Sequence, residues 1–153
     1  PAPRAQAARW SLVGPFDRLT YDEAFQRALG CSVLRASVAE LRTLALQRGL
    51  TPPASLGQDD KDGWLNWLLA EVVEPGLGRE RPTFLLDYPA TQAALAKTVT
   101  RPDGTTVARR FELYIDGVEY CNGYDELIAP AELRRRNHEQ NGARVAAGLA
   151  PLP

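Results

Sequence analysis

The sequence has few of the cysteines and histidines that form disulfide frameworks and metal sites, and it lacks the long apolar runs of membrane-spanning proteins. Its 153 residues include two cysteines, one histidine and no methionine. Cys31 and Cys121 lie far apart without CxxC spacing, which argues against a zinc site and a disulfide framework and favours a reducing compartment. No apolar run is long enough to span a membrane, and no signal peptide is recognisable. The sequence therefore predicts a cytoplasmic protein without a membrane partner.

The chain also lacks the motifs of several common enzyme classes. It contains no GxSxG, no phosphate-binding P-loop and no GxGxxG. A hydrolase triad is disfavoured because no nucleophile is paired with a histidine. His138, the only histidine, stands between polar residues of a predicted helix, so we expect a surface role for it. The formal net charge of -1 gives no electrostatic argument for a nucleic-acid partner.

Composition divides the chain into a short tail and one domain. Residues 1–17 are rich in alanine, proline and arginine, which is typical of a linker or disordered tail, here with anchoring contacts expected at Trp10 and Phe16. Residues 18–153 are long enough for a single domain, and 44% of the whole chain is hydrophobic. Because the chain begins with Pro1 rather than methionine, we expect it to be a piece of a longer protein.

Hydrophobic periodicity and capping residues predict helices, then strands, then a helix. Thr20 with Glu23 and Ser37 with Glu40 match capping boxes that begin two helices. A third helix is predicted over 59–73, where an acidic start precedes an apolar series with two tryptophans expected in the core. Further predictions are a strand over 83–88, hairpin turns at 103–104 and 116–117, and an arginine-rich helix over 131–147. For 90–97 two alternatives stay open, one helical turn or an irregular crossing segment. This order predicts an α+β fold.

The Asp116-Gly117 turn sets the predicted register of the strands on either side of it. Asp-Gly is a preferred pair for a two-residue type I′ turn, because both positions need φ > 0. Tyr114 then faces Glu119, and alternate residues point to opposite sides of the ribbon. The predicted apolar side consists of Phe111, Leu113, Ile115, Val118 and Tyr120. The predicted polar side consists of Glu112, Tyr114, Glu119 and Cys121, with Cys121 opposite Glu112.

Two carboxylates on the polar side form a candidate cation site. Glu112 and Glu119 are diagonal neighbours about 7–8 Å apart at the backbone, so their side chains can converge on one ion. A hard divalent cation such as Mg²⁺ suits two carboxylates that leave room for phosphate oxygens. Asn122 and Glu126 follow closely, and Gly123 between them lets the strand re-aim polar side chains. A solvated outer face of a half-buried sheet fits the same pattern and stays open as the alternative.

Several blocks of the sequence resemble one family in the same order along the chain. RFELYIDGVEYCNGYDEL, 110–127, is similar to the strand pair before the last conserved motif of class II lysyl-tRNA synthetases. RLTYDEAFQRALG, VEPGLGRERPTFLLDYPATQAALAK and the C-terminal GLAPLP are more similar to the shortened paralogues of those enzymes, the elongation factor P lysine ligases. Residues 92–96, QAALA, stand where lysyl-tRNA synthetases usually have Ser-Pro-Leu-Ala, which again favours the paralogues. The resemblance covers residues 18–153.

The resemblance implies a fold and a role for each acidic or polar residue of the hairpin. The fold is the antiparallel sheet of a class II aminoacyl-tRNA synthetase catalytic domain, flanked by helices. Glu112 and Glu119 match the residues that hold the Mg²⁺ ions bridging the ATP phosphates. Asn122, Tyr124 and Glu126 match residues that line the lysine pocket, with Glu126 as the partner of the side-chain ammonium. A buried carboxylate there would reject an uncharged analogue.

The activity implied by the resemblance is ATP-dependent ligation. Such an enzyme activates lysine or (R)-β-lysine as an adenylate and transfers it to a lysine of elongation factor P, with ATP and Mg²⁺ as cofactors, and this synthetase class is commonly dimeric. Two alternatives stay open. One is a fragment of a lysyl-tRNA synthetase that charges tRNA, and the other is a non-catalytic paralogue that binds an amino acid or a protein.

The chain departs from the family pattern at both ends. The family's two arginine-bearing motifs would lie before Pro1 and beyond Pro153, so no catalytic side chain is assigned in this sequence. We expect the isolated chain to be unable to form an aminoacyl adenylate, because phosphate-binding arginines are missing and the sheet would have unpaired edges.

Overall fold

A computed structural model describes residues 13–152. The first twelve residues of the predicted 1–17 tail, with the contact expected at Trp10, lie outside the described residues, so the division into tail and domain stays a prediction. Phe16 lies inside them and packs against Phe84, with ring centroids 5.9 Å apart.

In the described residues a short strand comes first, followed by three helices, four further strands and a final helix. The strands are β1 Asp17–Thr20, β2 Thr83–Pro89, β3 Thr98–Thr100, β4 Thr106–Ile115 and β5 Val118–Tyr124. The helices are α1 Tyr21–Leu29, α2 Val38–Gln47, α3 Lys61–Leu68 and α4 Pro130–Ala146. Short turns of π-helix and 3₁₀-helix occupy Leu69–Val73, Glu74–Gly76 and Ala90–Gln92. The predicted α+β fold class is confirmed.

Local capping chemistry explains where the first helices begin. At α1 the Thr20 hydroxyl accepts from the Glu23 amide at 3.3 Å, and the Glu23 carboxylate accepts from the Thr20 amide at 2.8 Å. Ser37 and Glu40 repeat both bonds at α2, so both predicted capping boxes are confirmed. The helix predicted over 59–73 is α3 followed by the π-helical turn, and Asp60 caps it by accepting from the Gly63 amide at 2.9 Å.

The five strands form one mixed sheet in which β4 is central. β2 pairs antiparallel with one edge of β4, and β1 pairs parallel with β2. β3 and β5 lie end to end along the other edge of β4, where β3 pairs with its first residues and β5 with its last. The parallel β1–β2 pair is the one exception, among the described strands, to the predicted antiparallel sheet.

One face of the sheet, here called the inner face, is covered by α1 and carries the site. Thr83 and Leu85 of β2 pair with Tyr114 and Glu112 of β4, so these four side chains share that face. All four are buried, and Tyr21 of α1 packs against Tyr88 at the end of β2, with ring centroids 5.0 Å apart. The interpretation of this face as a solvated outer surface is therefore wrong for Glu112 and Tyr114.

The predicted hairpin register is correct next to the turn and wrong beyond it. Tyr114 pairs with Glu119 as predicted, but Leu113 then pairs with Cys121 and Glu112 with Asn122. Tyr120 is the extra residue of a β-bulge. In the shifted register Gly123 lies opposite Phe111, whose ring covers it so closely that a Cβ there would be 2.7 Å from ring atoms. Cys121 consequently lies on the face opposite Glu112, not on the polar side.

Two short strands were not predicted from the sequence. β1 has four residues and pairs in parallel with a strand more than sixty positions away, and β3 has three residues. The segment left open over 90–97 is a 3₁₀ turn followed by irregular backbone. Among the described helices, none is both long and apolar enough to cross a membrane.

Candidate functional site

Glu112 is a buried carboxylate at the centre of the inner face. Its residue is 4% exposed, and burial of an unpaired carboxylate would be costly. Arg110, two residues earlier on the same face, forms an ion pair with its Oε1. The Tyr114 hydroxyl, two residues later, donates to its Oε2 at 2.6 Å. Alternation along β4 thus supplies both partners that make the buried charge tolerable.

Tyr114 connects Glu112 to a second carboxylate from a distant part of the chain. Its hydroxyl lies 3.0 Å from Glu74 Oε1, in the 3₁₀ turn that follows α3. Burial, together with the hydrogen bond to Glu112, raises the pKa of Tyr114, so the phenol remains a donor at neutral pH. Burial also raises the pKa of Glu74, with Glu112 and Glu119 adding to it as like charges. Three acidic side chains therefore influence one another here.

Glu119 and Asn122 of β5 complete the edge of this acidic group. Asn122 stands directly opposite Glu112 in the sheet, and its amide donates to Glu119 Oε1 at 3.0 Å. Both residues are exposed, in contrast to Glu112. The bulge at Tyr120 makes this possible, because the unbulged register would have placed Asn122 on the other face. The structure therefore brings three of the five predicted site residues together.

The remaining two predicted site residues lie further along the same chain segment. Tyr124 is half-buried opposite Arg110 and packs against the core. Glu126 forms an antiparallel bridge with Ala96 just after β5 ends. Its side chain is exposed, so the expectation of a buried carboxylate at this position is wrong for the chain as described. Within residues 13–152 the Glu126 carboxylate has no hydrogen-bond or ion-pair partner, which leaves it available to a cation.

The oxygen donors of this site can fill only part of the coordination sphere of Mg²⁺. No group of three or more acidic, histidine or cysteine side chains among the described residues is close enough to enclose a metal. Glu112 and Glu119 offer two carboxylates, and Asn122 offers an amide oxygen. Mg²⁺ typically takes one or two carboxylates and completes its octahedron with water and phosphate oxygens. The two carboxylates therefore fit a metal that is shared with a phosphorylated ligand.

Several polar residues of the site were not predicted from the sequence. Arg110 could have been found, because it stands two residues before Glu112 on the same face. Tyr114 was predicted on that face but without a role in the site. Glu74, Tyr21 and Tyr88 come from other elements, and their positions follow only from the fold. The hydroxyls of Tyr21 and Tyr88 and the Arg110 Nε are buried without a hydrogen-bond partner among the described residues. Buried polar atoms of this kind mark sites where water or ligand atoms are expected.

Comparison with known proteins connects this geometry to one family. The family model of tRNA synthetases class II (D, K and N) matches residues 3–147 of the chain.

Individual relatives carry a more specific name. A protein named elongation factor P--(R)-beta-lysine ligase from Vibrio vulnificus (strain YJ016) is 41% identical over 140 residues, which are 92% of this chain and 42% of the relative. Proteins of the same name from Erwinia tasmaniensis and from Klebsiella pneumoniae subsp. pneumoniae are 42% and 41% identical over 139 residues, which are 91% of this chain and 42% of each relative. The chain thus spans less than half the length of these curated relatives.

Proposed function

The chain belongs to the class II tRNA synthetase family (D, K and N), and from this premise we propose that it is the substrate-binding part of an ATP-dependent lysine ligase. The reaction is activation of (R)-β-lysine or lysine as an aminoacyl adenylate, followed by transfer to a lysine of elongation factor P. The name shared by the relatives of about 40% identity supports this acceptor. Their greater length means that the activity is proposed for the gene product that contains this chain.

The observation that carries the proposal is the grouping of Glu112, Asn122 and Glu119 on one face of the β4–β5 hairpin. Asn122 faces Glu112 in the sheet and donates to Glu119 at 3.0 Å. Glu112 and Glu119 would hold Mg²⁺ between them and the ATP phosphates. The bound metal would neutralise the negative charge of the ATP phosphates. Without it, that charge would repel the carboxylate of the amino-acid substrate. Arg110 and Tyr114 fix the Glu112 carboxylate, so it is already oriented before substrate binds.

Recognition of the amino acid is assigned to the end of the hairpin. Glu126 is exposed and unpaired within the described residues, so it can accept the side-chain ammonium of lysine or β-lysine in a charge-assisted hydrogen bond. Tyr124 and Asn122 stand two and four residues earlier, in β5, and would form the wall of the pocket. The pocket residues therefore come from one continuous segment, which couples the amino-acid position to the metal site.

Charging of tRNA is the second candidate function, because the family model itself describes tRNA synthetases. The two functions share the adenylation step and differ only in the acceptor. QAALA at 92–96 in place of Ser-Pro-Leu-Ala and the names of the relatives favour elongation factor P.

The decisive experiment separates activation from transfer. The gene product containing this chain is first assayed for pyrophosphate exchange into ATP with lysine and with (R)-β-lysine, and then for transfer of the labelled amino acid to elongation factor P and to lysine tRNA. We expect amino-acid-dependent exchange and labelling of elongation factor P alone. Labelling of tRNA would establish the second candidate, and absence of exchange with both amino acids would contradict the proposal as a whole.

A further inference from the structure

The backbone of residues 94–96, which pairs with Glu126, accepts hydrogen bonds from an arginine of α4. Arg136 Nη1 donates to two backbone carbonyls, Ala96 O at 2.8 Å and Ala94 O at 3.2 Å. Its Nε donates to Glu132 Oε1 at 2.9 Å, one turn earlier on the helix. Hydrogen bonds from Arg135 and Arg136 lower the pKa of Glu132 to about 2, so this anchor is charged at neutral pH. The Arg136 side chain is only 17% exposed.

The backbone held in this way is irregular and needs an external partner. Ala94 has a φ of 48°, a left-handed conformation that residues other than glycine adopt at a cost. Such a conformation persists only when surrounding contacts determine it. Arg136 satisfies the carbonyls on both sides of Leu95 with a single guanidinium group, and its planar shape suits two acceptors at once.

The same segment is the strand-like partner of Glu126. Ala96 forms the antiparallel bridge with Glu126. The Lys97 amide donates to Asp125 O at 2.8 Å, and the Leu127 amide donates to Leu95 O at 2.7 Å. Glu126 is therefore held between two backbone hydrogen bonds whose other ends belong to the backbone that Arg136 fixes. A shift of this backbone would move the Glu126 carboxylate with it.

Arg136 is also the point of attachment of α4. No residue of this helix is buried, and within residues 13–152 no other side chain of α4 makes a hydrogen bond or ion pair with the chain before Ala129. Arg135, its neighbour, is 56% exposed and, among the residues that the structure describes, pairs only with Glu132 and Glu139 of the same helix. The two adjacent arginines thus share a helix and an acidic partner but differ in contact with the 94–96 backbone.

We propose that Arg136 is a positioning residue for amino-acid recognition, which acts through the Ala94–Ala96 backbone to fix the Glu126 carboxylate. This rests on the proposed function, since it takes Glu126 as the group that binds the ammonium. Arg136 does not touch the amino acid. It sets how often Glu126 is found where the ammonium can reach it, so its loss lowers amino-acid affinity and leaves the binding of ATP unchanged.

The test compares R136M with R135M in the gene product that contains the chain. Pyrophosphate exchange should show a KM for the amino acid at least threefold higher in R136M, with the KM for ATP within twofold of the wild-type value. R135M should leave both KM values within twofold. R136K, which keeps the charge and can reach one of the two carbonyls, should recover part of the loss. Equal KM changes for both substrates, or equal behaviour of R136M and R135M, would overturn the proposal.

Amide hydrogen exchange separates the failure of this proposal from the failure of the proposed function. Peptides covering 93–97 and 125–127 should exchange at least tenfold faster in R136M and unchanged in R135M. Unchanged exchange in R136M would show that Arg136 does not fix this backbone, whatever the activity. Faster exchange with an unchanged amino-acid KM would overturn the link to Glu126. Absence of amino-acid-dependent activity in the wild-type protein would overturn the proposed function. The amide hydrogen exchange data would still show whether Arg136 fixes the backbone of residues 94–96.

Discussion

The acidic residues of the site differ in how far their charges are already compensated. Glu112 is buried, forms an ion pair with Arg110 and accepts a hydrogen bond from the Tyr114 hydroxyl. Glu126 is exposed and without a partner among the described residues. A compensated carboxylate is rigid and can orient a metal, whereas an uncompensated one gains most from a cationic ligand. This contrast supports the proposal that the two residues serve different substrates.

Replacement of Glu126 by glutamine should impair amino-acid recognition selectively. The amide keeps the shape of the side chain and removes the charge, so a charge-assisted bond worth about 1.5–3 kcal/mol is reduced to a neutral one. Because a neutral bond keeps about 0.5–1.5 kcal/mol, we expect the KM for the amino acid to rise about five- to tenfold, by the rule that 1.4 kcal/mol is tenfold, with little change for ATP. The measurement is pyrophosphate exchange by the gene product that contains the chain.

The matched control for Glu126→Gln is Asp125→Asn. Asp125 is the adjacent acid, and it is already paired with Lys97 at 2.6 Å. This substitution should change neither KM by more than about twofold, as expected for an exposed ion pair. An equal loss of amino-acid and ATP binding in Glu126→Gln would mean that its role is assigned wrongly.

Glu74 gives the stability of the chain a dependence on pH. Burial raises its pKa in the folded state above the unfolded value, so between these two values the folded state binds more protons than the unfolded state. Its contribution to the free energy of unfolding therefore falls as pH rises through the unfolded pKa towards the folded pKa. Glu74→Gln cannot ionise but can still accept from Tyr114, so the variant should gain stability relative to wild type between pH 4 and pH 7.

Urea unfolding of both proteins at pH 4 and pH 7, with EDTA present, measures this difference. Glu80→Gln serves as a control, because Glu80 is exposed and should show the same difference from wild type at both pH values. A Glu74→Gln effect that is also equal at both pH values would contradict the assignment of a raised pKa.

Residues of the hairpin were predictable because their neighbours in space are neighbours in sequence. Glu112 and Glu119 follow from an Asp-Gly turn and the two-residue period of strands. Glu74 contacts Tyr114 across 40 positions, and no local pattern indicates that pairing. The exact face of Asn122 also depends on the bulge at Tyr120, whose register places Gly123 opposite the Phe111 ring.

At the scale of elements, the β4–β5 hairpin is fixed to the loop before β2 by its own turn. The Asp116 amide donates to Gly78 O at 2.9 Å, and the Gly117 amide donates to Leu77 O at 2.8 Å. Arg79 pairs with the Asp116 carboxylate at 2.6 Å. This contact holds the end of the hairpin close to the turn that carries Glu74, so the hairpin and the 3₁₀ turn form one support for the acidic group.

Gly78→Ala should disrupt this support severely. Gly78 has a φ of 68°, and a Cβ there would lie 2.5 Å from Tyr114 O in the backbone of β4. Backbone strain at positive φ costs an alanine about 1 kcal/mol, and the overlap with a strand backbone should raise the total loss above about 3 kcal/mol. The measurement is the free energy of unfolding in urea.

Gly104→Ala is the control for the conformational part of that loss. Gly104 has a φ of 82° and no atom within 4 Å of an added Cβ, so it should lose only about 1 kcal/mol. Similar losses in the free energy of unfolding for the two variants would contradict the close contact between the loop before β2 and the backbone of β4.

Elements with local signals were predicted well, and elements defined by pairing were not. The capping boxes at Thr20 and Ser37 lie within four residues of the helix starts that they cause. β1 has no such signal, because its four residues become a strand only by pairing in parallel with β2. β3 likewise exists because three residues pair with the start of β4.

At the scale of the whole molecule, the sheet separates two kinds of surface. The inner face is covered by α1 and holds the acidic group with its tyrosines, whereas the hairpin end with Glu119 and Asn122 stays exposed. A ligand can therefore reach the exposed Glu119 and Asn122 from the β5 side. That arrangement suits a metal which arrives with a phosphorylated ligand rather than one enclosed during folding.

Because a cation that binds only the folded chain adds to its free energy of unfolding, Mg²⁺ should stabilise the chain measurably. At 10 mM Mg²⁺ and a dissociation constant of about 1 mM, the expected gain is about 1.4 kcal/mol, read as a rise in the thermal midpoint against NaCl of equal ionic strength. Glu119→Gln removes one of the two proposed ligands and should abolish most of the gain, whereas Glu80→Gln, at an exposed acid outside the group, should retain it. A gain that persists in Glu119→Gln would place the cation elsewhere, and no gain in the wild-type chain would contradict the binding of Mg²⁺ to this carboxylate pair without ATP.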